Sequence, residues 1–334
     1  MLLHVTSYAR AGLLGNPSDG YFGKTIAFAF RNASATVTLY ETPEIQFMPG
    51  PVDDHRFDET SVLLRDVRLY GYYGGLRLLK ATAKVFYDYC REHDLALPRR
   101  NFTARYHSEI PRLVGLSGSS AICTAMFRAL MQFYEVTVPR ELMPTLCWRA
   151  ESEQLNITCG MQDRVIQVYQ GCQFMDFEES LMSSREYGRY ESIDPTRLPP
   201  LYIAYDPLRA EVSGRYHGRL RVLFEEKKSD IVAAMDDFAQ FAQAGYLALI
   251  KGDVDTVGRL INANFDLRDR IFNVSENNRR MVQVARSTGA TAKFAGSGGA
   301  IVGTYEDDAM YEKLEESLGG IGCKVLKPDI APPA

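Results

Sequence analysis

The sequence predicts an α+β protein built from two domains. At 334 residues the chain is longer than a typical single domain, so two hydrophobic cores are expected. Alternating β-branched and aromatic residues predict strands in both halves, and apolar residues three and four positions apart predict helices between them. The polar stretch 178–200 ends in Asp194-Pro195-Thr196-Arg197-Leu198-Pro199-Pro200, which is typical of a linker. We therefore place the domain boundary there, with residues 1–195 in one domain and 196–334 in the other.

The first domain is predicted to mix strands with amphipathic helices. The strands are predicted over 2–8, 25–30, 34–40 and 102–106. The helices are predicted over 75–92, 119–134, 139–155 and 162–169.

The second domain shows the same two patterns. Its strands are predicted over 201–205, 290–294, 300–305 and 323–326. Its helices are predicted over 231–250, 254–271, 277–287 and 308–318. The tail 328–334 is short, proline-rich and terminal, and is predicted to be disordered.

The composition is that of an ordinary globular protein. A formal net charge of −4 and the absence of a dense Lys/Arg stripe argue against a nucleic-acid partner. No apolar run approaches the length of a membrane span, and the N-terminus lacks the features of a signal peptide, so we expect a cytoplasmic protein with no membrane partner. The six cysteines form no C-x-x-C pair and predict reduced, mostly buried thiols. The five histidines show no metal-ligand spacing.

A Gly/Ser-rich loop directly precedes the helix predicted over 119–134. It reads Pro111-Arg112-Leu113-Val114-Gly115-Leu116-Ser117-Gly118-Ser119-Ser120-Ala121. Free N–H groups and the helix dipole at such a terminus favour an anion, and small residues let a phosphate approach closely. The loop therefore indicates a phosphate site, and an ordinary serine-capped helix is the alternative that fits the same residues.

Two better-known phosphate motifs are excluded. Gly23-Lys24-Thr25 looks like the end of a P-loop, but Ser18 stands where that motif requires glycine, and a strand follows instead of a helix. The stretch 296–301 begins like a dinucleotide fingerprint, but Ile301 occupies the position of the third small residue.

Three further clusters carry groups suited to chemistry. Arg10-Ala11-Gly12-Leu13-Leu14-Gly15-Asn16-Pro17-Ser18-Asp19 is expected to form a tight loop that binds a polyol, or else an ordinary Asn-Pro turn. Glu151 and Asp163, twelve residues apart, either serve a metal and a hydroxyl or are a solvent-facing acid and a helix cap. Lys293-Phe294-Ala295-Gly296-Ser297-Gly298-Gly299-Ala300 forms a glycine turn that either closes over phosphates or only joins two strands.

Taken in order, these clusters resemble the signature motifs of the GHMP kinases, the family of galactokinase, homoserine kinase and mevalonate kinase. Residues 10–19 resemble the family's R-x-x-L-x-G-E-H-x-D motif, and residues 111–121 resemble its P-x-x-x-G-L-x-S-S-A phosphate loop. Residues 293–300 resemble its late glycine loop. The chain departs from the first motif at Asn16-Pro17-Ser18, which replaces E-H-x. The string Gly15-Asn16-Pro17-Ser18-Asp19, together with 71–79 and 160–165, most resembles the plant-type glucuronokinases.

The resemblance implies a fold and a reaction. The implied fold has a left-handed β-α-β unit in the first domain and a ferredoxin-like second domain. The implied reaction transfers the γ-phosphoryl group of ATP, with Mg²⁺, to the anomeric hydroxyl of D-glucuronate. Another sugar kinase acting on galactose, galacturonate or arabinose is the nearest alternative. A non-catalytic sensor of ATP and sugar is the alternative from another class, and a decarboxylase of the mevalonate branch is the third.

The resemblance also implies roles for individual residues. Asp163 serves as general base or only orients the hydroxyl, while Arg10 stabilises developing charge and keeps Asp163 ionised. The sugar is held by Asp19, Asn16, Arg10 and Asp163. Magnesium is held by Ser120 and Glu151, with Ser119 as the alternative hydroxyl. The nucleotide is bound by Pro111, Gly115, Leu116, Ser117, Gly118, Ser119, Ser120, Ala121, Gly296, Ser297 and Gly298. The candidates for pairing the substrate carboxylate are Arg112, Arg164 and Lys24.

Overall fold

A long antiparallel hairpin organises the first sheet. The computed structural model describes residues 1–50, 53, 59–60, 62, 64, 74–207 and 214–334. Strands β1 and β2 pair from Leu2–Tyr40 to Leu14–Ile26 with two bulges, and the other side of β2 pairs with β4 at one end and β5 at the other. Strand β3 lies parallel to β4, and β6 lies beyond β5. The strands of this sheet are β1 (Leu2–Leu14), β2 (Lys24–Thr42), β3 (Gln46–Phe47), β4 (Asn101–Ser108), β5 (Cys172–Asp176) and β6 (Arg189–Ile193).

The hairpin differs from the sequence prediction in two ways. The predicted strands 25–30 and 34–40 are one strand, because a bulge after Phe30 lets the chain resume pairing at Ser34. The first strand does not end at residue 8 but continues to Leu14, so Arg10 lies on a strand and not in a loop. An arginine fits within this buried strand because an acid, Asp163, neutralises it.

Helices between β3 and β5 pack on this sheet and on one another. The helices predicted over 75–92 and 162–169 are confirmed to the residue, and the helix after the Gly/Ser loop begins one residue earlier than predicted. The helix predicted over 139–155 is shorter at both ends. The helices are α1 (Gly75–Glu92), α2 (Gly118–Tyr134), α3 (Met143–Ser152) and α4 (Gln162–Tyr169). The parallel pair β3 and β4 flanks α1 in sequence, as in a β-α-β unit, and its hand stays a prediction.

The polar stretch 178–200 is more ordered than a linker. It contains helix α5 (Glu179–Arg185) and the edge strand β6. The strand before it, β5, was missed because all five of its residues are buried and therefore show no alternation. The boundary predicted between 195 and 196 falls in a short 3-10 helix between the two sheets, and it remains a proposal.

The second sheet has the strand order β10-β7-β9-β8, all antiparallel, with helices between β7 and β8 and between β9 and β10. This is the order of a ferredoxin-like fold, as the resemblance implied. Its strands are β7 (Leu201–Tyr205), β8 (Lys293–Phe294), β9 (Ala300–Thr304) and β10 (Lys324–Leu326). Its helices are α6 (Gly214–Glu225), α7 (Ser229–Lys251), α8 (Val254–Ile271), α9 (Glu276–Ser287) and α10 (Asp308–Gly319).

The two halves share a hydrophobic core. Ala242 and Leu249 of α7 and Ile261 of α8 belong to the same buried cluster as Leu13 and Phe28 of the first sheet. Packing across the halves also holds the first motif against the second half of the chain, where Asn264 bonds to Gly15 and Asn16.

The tail predicted to be disordered is a strap across the first sheet, defined here as residues 329–334. Ile330 forms a bridge with Phe30, and Ala331 donates its N–H to the Ala29 carbonyl. Ala331 is fully buried. The prediction failed because the strap covers the stretch of β2 left between its β5 and β4 partners, where backbone groups require a new partner.

All six cysteines are free thiols, five of them buried, as predicted. Burial raises the pKa of the Cys147 and Cys159 thiols to about 12, so both are protonated. No helix in the described part of the chain has the length and apolar character needed to span a bilayer.

Candidate active site

One cleft brings most of the predicted site residues together. Those on its wall are Arg10, Asn16, Asp19, Pro111, Gly115, Leu116, Ser117, Gly118, Ser119, Glu151, Asp163, Gly296 and Ser297. Three predicted residues do not reach the wall: Ser120, Ala121 and Gly298. Segments separated by more than a hundred residues thus converge on a single site.

The loop wall of the cleft, residues 111–119 together with 296–297, is built from backbone. Leu113, Gly115 and Ser117 have φ values of 58°, 74° and 66°, a left-handed conformation that is unfavourable for leucine and serine. Ser117 directly precedes α2, and no side chain caps the first turn of that helix. The expected alternative of a serine-capped helix is therefore not what the chain forms, and the N–H groups of the first turn stay available for an anion.

The two glycine loops touch each other. A Cβ atom on Gly115 would lie 2.8 Å from the Gly298 carbonyl oxygen, and one on Gly296 would overlap the Gly115 carbonyl. Arg10 joins the loops, since its Nη1 donates to the carbonyls of Gly115 (2.7 Å) and Ala295 (2.9 Å). The loop wall is therefore one surface, in which these positions require glycine.

The other wall of the cleft is built from ionisable side chains instead of backbone. We call it the charged wall, and its six residues are Arg10, Asp19, Glu151, Asp163, Arg164 and Arg268. Arg10 Nε donates to Asp163 Oδ1 at 2.6 Å, which links the first motif to the first turn of α4. Burial alone would raise the pKa of Asp163, but the charges of Arg10 and Arg164 outweigh it and hold that pKa below its ordinary value. Asp163 is therefore ionised at neutral pH.

Arg164 connects the two acids predicted from sequence. It pairs with the fully buried Glu151 of α3, and its Nη1 lies 3.8 Å from Asp163 Oδ2. The second Glu151 oxygen, Oε1, is buried without a hydrogen-bond partner. A carboxylate oxygen without a partner on a cleft wall suits a divalent cation.

The two serine hydroxyls considered for the metal differ in position. Ser120 is buried and donates its hydroxyl to the Ser117 carbonyl at 3.2 Å, whereas Ser119 lies on the cleft wall. Among the described residues no group of three or more His, Cys, Asp or Glu side chains could hold a metal alone. One carboxylate and one hydroxyl nevertheless fit Mg²⁺, which usually keeps several waters and binds substrate phosphates.

Asp19 is buried at the part of the cleft beside α4. Its Oδ2 accepts a hydrogen bond from the Gln162 backbone N–H at 3.1 Å. Burial, followed by the charge of Asp163, raises the pKa of Asp19 to about 6. A Cβ on Gly160 would overlap the Asp19 carboxylate, so glycine is required there. The cleft therefore holds two acids with pKa values displaced in opposite directions.

Asn16, the residue that departs from the family motif, is held from the second half of the chain. Lys293 Nζ donates to Asn16 Oδ1 (2.5 Å) and to the carbonyls of Gly12 (2.6 Å) and Phe294 (2.8 Å). Asn264 of α8 adds contacts to Gly15 N and to the Asn16 carbonyl. Burial, with Arg268 and Arg10 nearby, holds the pKa of Lys293 well below its ordinary value.

Arg268 and the contacts of Lys293 were not predicted from the sequence. Arg268 lies on α8 inside the charged run Asp266 to Arg270, which reads as a solvent-exposed face. The helix period does contain the signal, because Val257, Ile261, Asn264 and Arg268 are on one buried face. A polar residue on the apolar face of a predicted helix is what would have marked both Asn264 and Arg268.

The candidates for pairing a substrate carboxylate are placed differently. Arg164 is already paired with Glu151. Lys24 contacts Asp176 (3.4 Å) and Gln243 (3.1 Å), and it is not on the wall of the cleft. Arg112 is on the wall but exposed.

Both halves of the chain match models of a known protein family. The family model "GHMP kinases N terminal domain" matches residues 77–171, and the model "GHMP kinases C terminal" matches residues 246–319. Glucuronokinase 1 of Arabidopsis thaliana is 39% identical over 333 residues, which cover 98% of this chain and 91% of that protein. Probable glucuronokinase 2 of the same plant is 43% identical over 317 residues, covering 93% and 86%.

The fold is also that of solved structures of more distant proteins. The galactokinase of Lactococcus lactis, solved with galactose, aligns with a TM-score of 0.76 at 14% identity, covering 98% of this chain and 93% of that one. At that identity the likeness shows the fold alone.

Proposed function

We propose, since this chain belongs to the GHMP kinase family, that it transfers the γ-phosphoryl group of ATP to the anomeric hydroxyl of D-glucuronate. The choice of glucuronate as the substrate rests on the two plant relatives, because both are named as glucuronokinases. One observation carries the chemistry: Arg10 pairs with Asp163 and also bonds to Gly115 of the loop wall and to Ala295, directly before its second segment. An acceptor beside Asp163 would thus lie next to the phosphates.

The loop wall would bind the nucleotide phosphates. Phosphoryl transfer passes through a loose transition state with charge spread over oxygens, so positioned N–H donors carry much of the catalysis. The uncapped first turn of α2 offers such donors. Ser119 and the unpartnered Oε1 of Glu151 would hold Mg²⁺, with Ser120 as a support of the loop rather than a ligand. When bound, Mg²⁺ would supply positive charge that offsets the charge of the phosphates.

Asp163 would orient the acceptor hydroxyl and receive its proton late. Its lowered pKa makes it a weak base toward a free hydroxyl, which argues against early proton abstraction. The hydroxyl becomes acidic as its bond to phosphorus forms, and an ionised carboxylate at hydrogen-bond distance then accepts the proton. Arg10 would keep Asp163 ionised and, because it also contacts the loops, fix the distance between hydroxyl and phosphate.

Asp19 and Asn16 would bind the sugar hydroxyls. Asp19 retains one carboxylate oxygen beyond its contact with Gln162 N, and an ionised carboxylate accepts hydrogen bonds from several hydroxyls. Lys293 and Asn264 hold Asn16 in place. This part of the cleft is therefore the acceptor side.

The experiment that tests the proposal is a substrate screen of the full chain. Glucuronate, galacturonate, glucose, galactose and arabinose are offered with ATP and Mg²⁺, ADP release is followed, and the product is identified by phosphorus NMR. We expect phosphorylation at the anomeric oxygen and a kcat/KM for glucuronate at least ~100-fold above that for glucose. A neutral sugar as the best substrate would reject the assignment, and binding of both ligands without turnover would identify a sensor.

A further inference from the structure

Three arginines are buried on the cleft wall, and two of them are paired with acids. Arg10 pairs with Asp163, and Arg164 pairs with Glu151. Arg268 is 4% exposed, and no carboxylate in the described part of the chain lies within ion-pair distance of it. A buried cation without a counter-ion is unfavourable, so its presence at a binding cleft requires a reason.

The contacts of Arg268 orient its guanidinium without neutralising it. Nη1 donates to the Gly296 carbonyl at 2.9 Å, and Nη2 donates to the Ser297 carbonyl at 3.0 Å. Nε is buried and has no partner. The group packs over the rings of Phe272 and Phe294, with centroids 4.9 and 5.0 Å away. Five N–H donors and two neutral acceptors leave capacity for an anion.

The surroundings of Arg268 place it on the acceptor side of the cleft. Burial lowers its pKa to about 10, which still leaves the group charged at neutral pH. Asp19 and Tyr21 are close enough that, after burial, they have the largest effects on this pKa, and both raise it. Tyr21 is itself on the cleft wall. An anion bound by Arg268 would therefore belong to the molecule that Asp19 holds.

We propose that Arg268 binds the carboxylate of the acceptor and thereby determines the preference for uronic acids over neutral sugars. The inference rests on the proposed function, since glucuronate differs from glucose by that one carboxylate. A planar guanidinium matches a carboxylate with two parallel hydrogen bonds, and a buried pair of this kind is strong. The remaining arginines of the wall, Arg112 and Arg221, are exposed, where a charge pair contributes little.

The test measures kcat/KM for glucuronate and for glucose, and KM for ATP, in the full chain carrying Arg268→Gln. We expect the KM for glucuronate to rise at least about thirtyfold, as for loss of one partner of a buried pair. Loss of the contacts with residues 296–297 should lower kcat/KM for both sugars alike, whereas loss of the carboxylate contact affects glucuronate alone, so the ratio between the two sugars should fall at least about tenfold. A purely structural role, in which Arg268 only holds residues 296–297, would lower activity toward both sugars equally and leave the ratio unchanged.

A matched control separates folding from recognition. Arg286 also donates to two backbone carbonyls and packs over an aromatic ring, but it pairs with Asp266 and is not on the cleft wall. Arg286→Gln should leave the sugar ratio unchanged. If Arg268→Gln fails to fold, Arg268→Lys keeps the charge but not the planar fork, and calorimetric titration with glucuronate should show weaker binding.

The outcomes distinguish the inference from the proposed function. An unchanged ratio in a chain that phosphorylates glucuronate overturns the role of Arg268 alone. A larger rise in KM for ATP than for glucuronate would make Arg268 a phosphate ligand instead. If the unsubstituted chain prefers a neutral sugar, both the function and the inference fall.

Discussion

The two walls of the cleft present polar groups away from bulk water by different means. The loop wall presents backbone N–H groups of short contiguous segments, and its geometry depends on positions where no Cβ fits. The charged wall presents ionised side chains from β1, α3, α4 and α8, most of them neutralised by a neighbour. Under the proposed function, nucleotide binding would depend on backbone conformation, while the chemistry of the acceptor would depend on a network of charges.

The largest effect on activity is expected from Asp163→Asn on the charged wall. The amide of asparagine can neither receive the proton nor neutralise the charge of Arg10. We therefore expect kcat to fall at least ~100-fold while the affinity for ATP changes little. Steady-state kinetics and a nucleotide-binding titration measure the two quantities. Asp269→Asn, at an acid paired with Arg279 and absent from the cleft wall, is the control and should retain activity. Near-normal turnover in Asp163→Asn would remove this residue from catalysis.

Gly115→Ala is the corresponding test of the loop wall. Its φ of 74° and the 2.8 Å approach of a Cβ to the Gly298 carbonyl both oppose a side chain. We expect the KM for ATP to rise about tenfold, from a conformational cost of about 1–2 kcal/mol, with a smaller change in the KM for the sugar. Gly252→Ala is matched in backbone, with φ 73°, but meets no atom within 4 Å. It should lower thermal stability without altering either KM; an equal effect of both variants on the KM for ATP would contradict the assignment of the loop.

The smallest effect expected is a pH dependence that comes from Asp19. With its pKa raised to about 6, this carboxyl is protonated below pH 6 and accepts sugar hydroxyls best above it. The KM for the sugar should therefore fall several-fold between about pH 5 and 7. Asp163, with a lowered pKa, stays ionised over this window and adds nothing to the profile. A profile of the same shape in Asp19→Asn would assign the dependence to another group.

The raised pKa of Asp19 also makes the free energy of unfolding depend on pH. The native state holds this proton up to about pH 6, whereas the unfolded chain releases it near the ordinary value of 3.8. Between these values the native state binds more protons, so its contribution to stability decreases as pH rises. Thermal melts of the chain and of Asp19→Asn across this range report the difference.

The sequence allowed much of the fold to be predicted where local signals are strong. The helices over 75–92 and 162–169 and the glycine loop before α2 follow from periodicity and composition. Strand β5 could not be predicted, because burial on both faces removes the alternation that marks a strand. The extension of β1 through Arg10 could not be predicted either, because the acid that neutralises this arginine is 153 positions away.

The same distinction holds for the site. The loop wall was found as two strings of adjacent residues, since a backbone cradle needs contiguous small residues. The charged wall was found only in part: Asp163 and Arg10 belong to motifs, but the pairing of Arg164 with Glu151 depends on how α3 and α4 pack. Arg268 belongs to no motif and lies among other charged residues of α8. Only its position on the buried face of the helix distinguishes it from them.

The strap has a consequence for how the molecule is made. Arg31 pairs with Asp329 across 298 positions, so the central strand of the first sheet lacks this partner until most of the chain has left the ribosome. The chain therefore cannot finish its first half before its second, in contrast to proteins whose domains complete themselves in the order of translation. A fragment covering residues 1–195 should leave the backbone amide of Arg31, which donates to the Asp329 carbonyl, open to rapid hydrogen exchange, whereas a fragment supplied with the strap as a peptide should recover its protection.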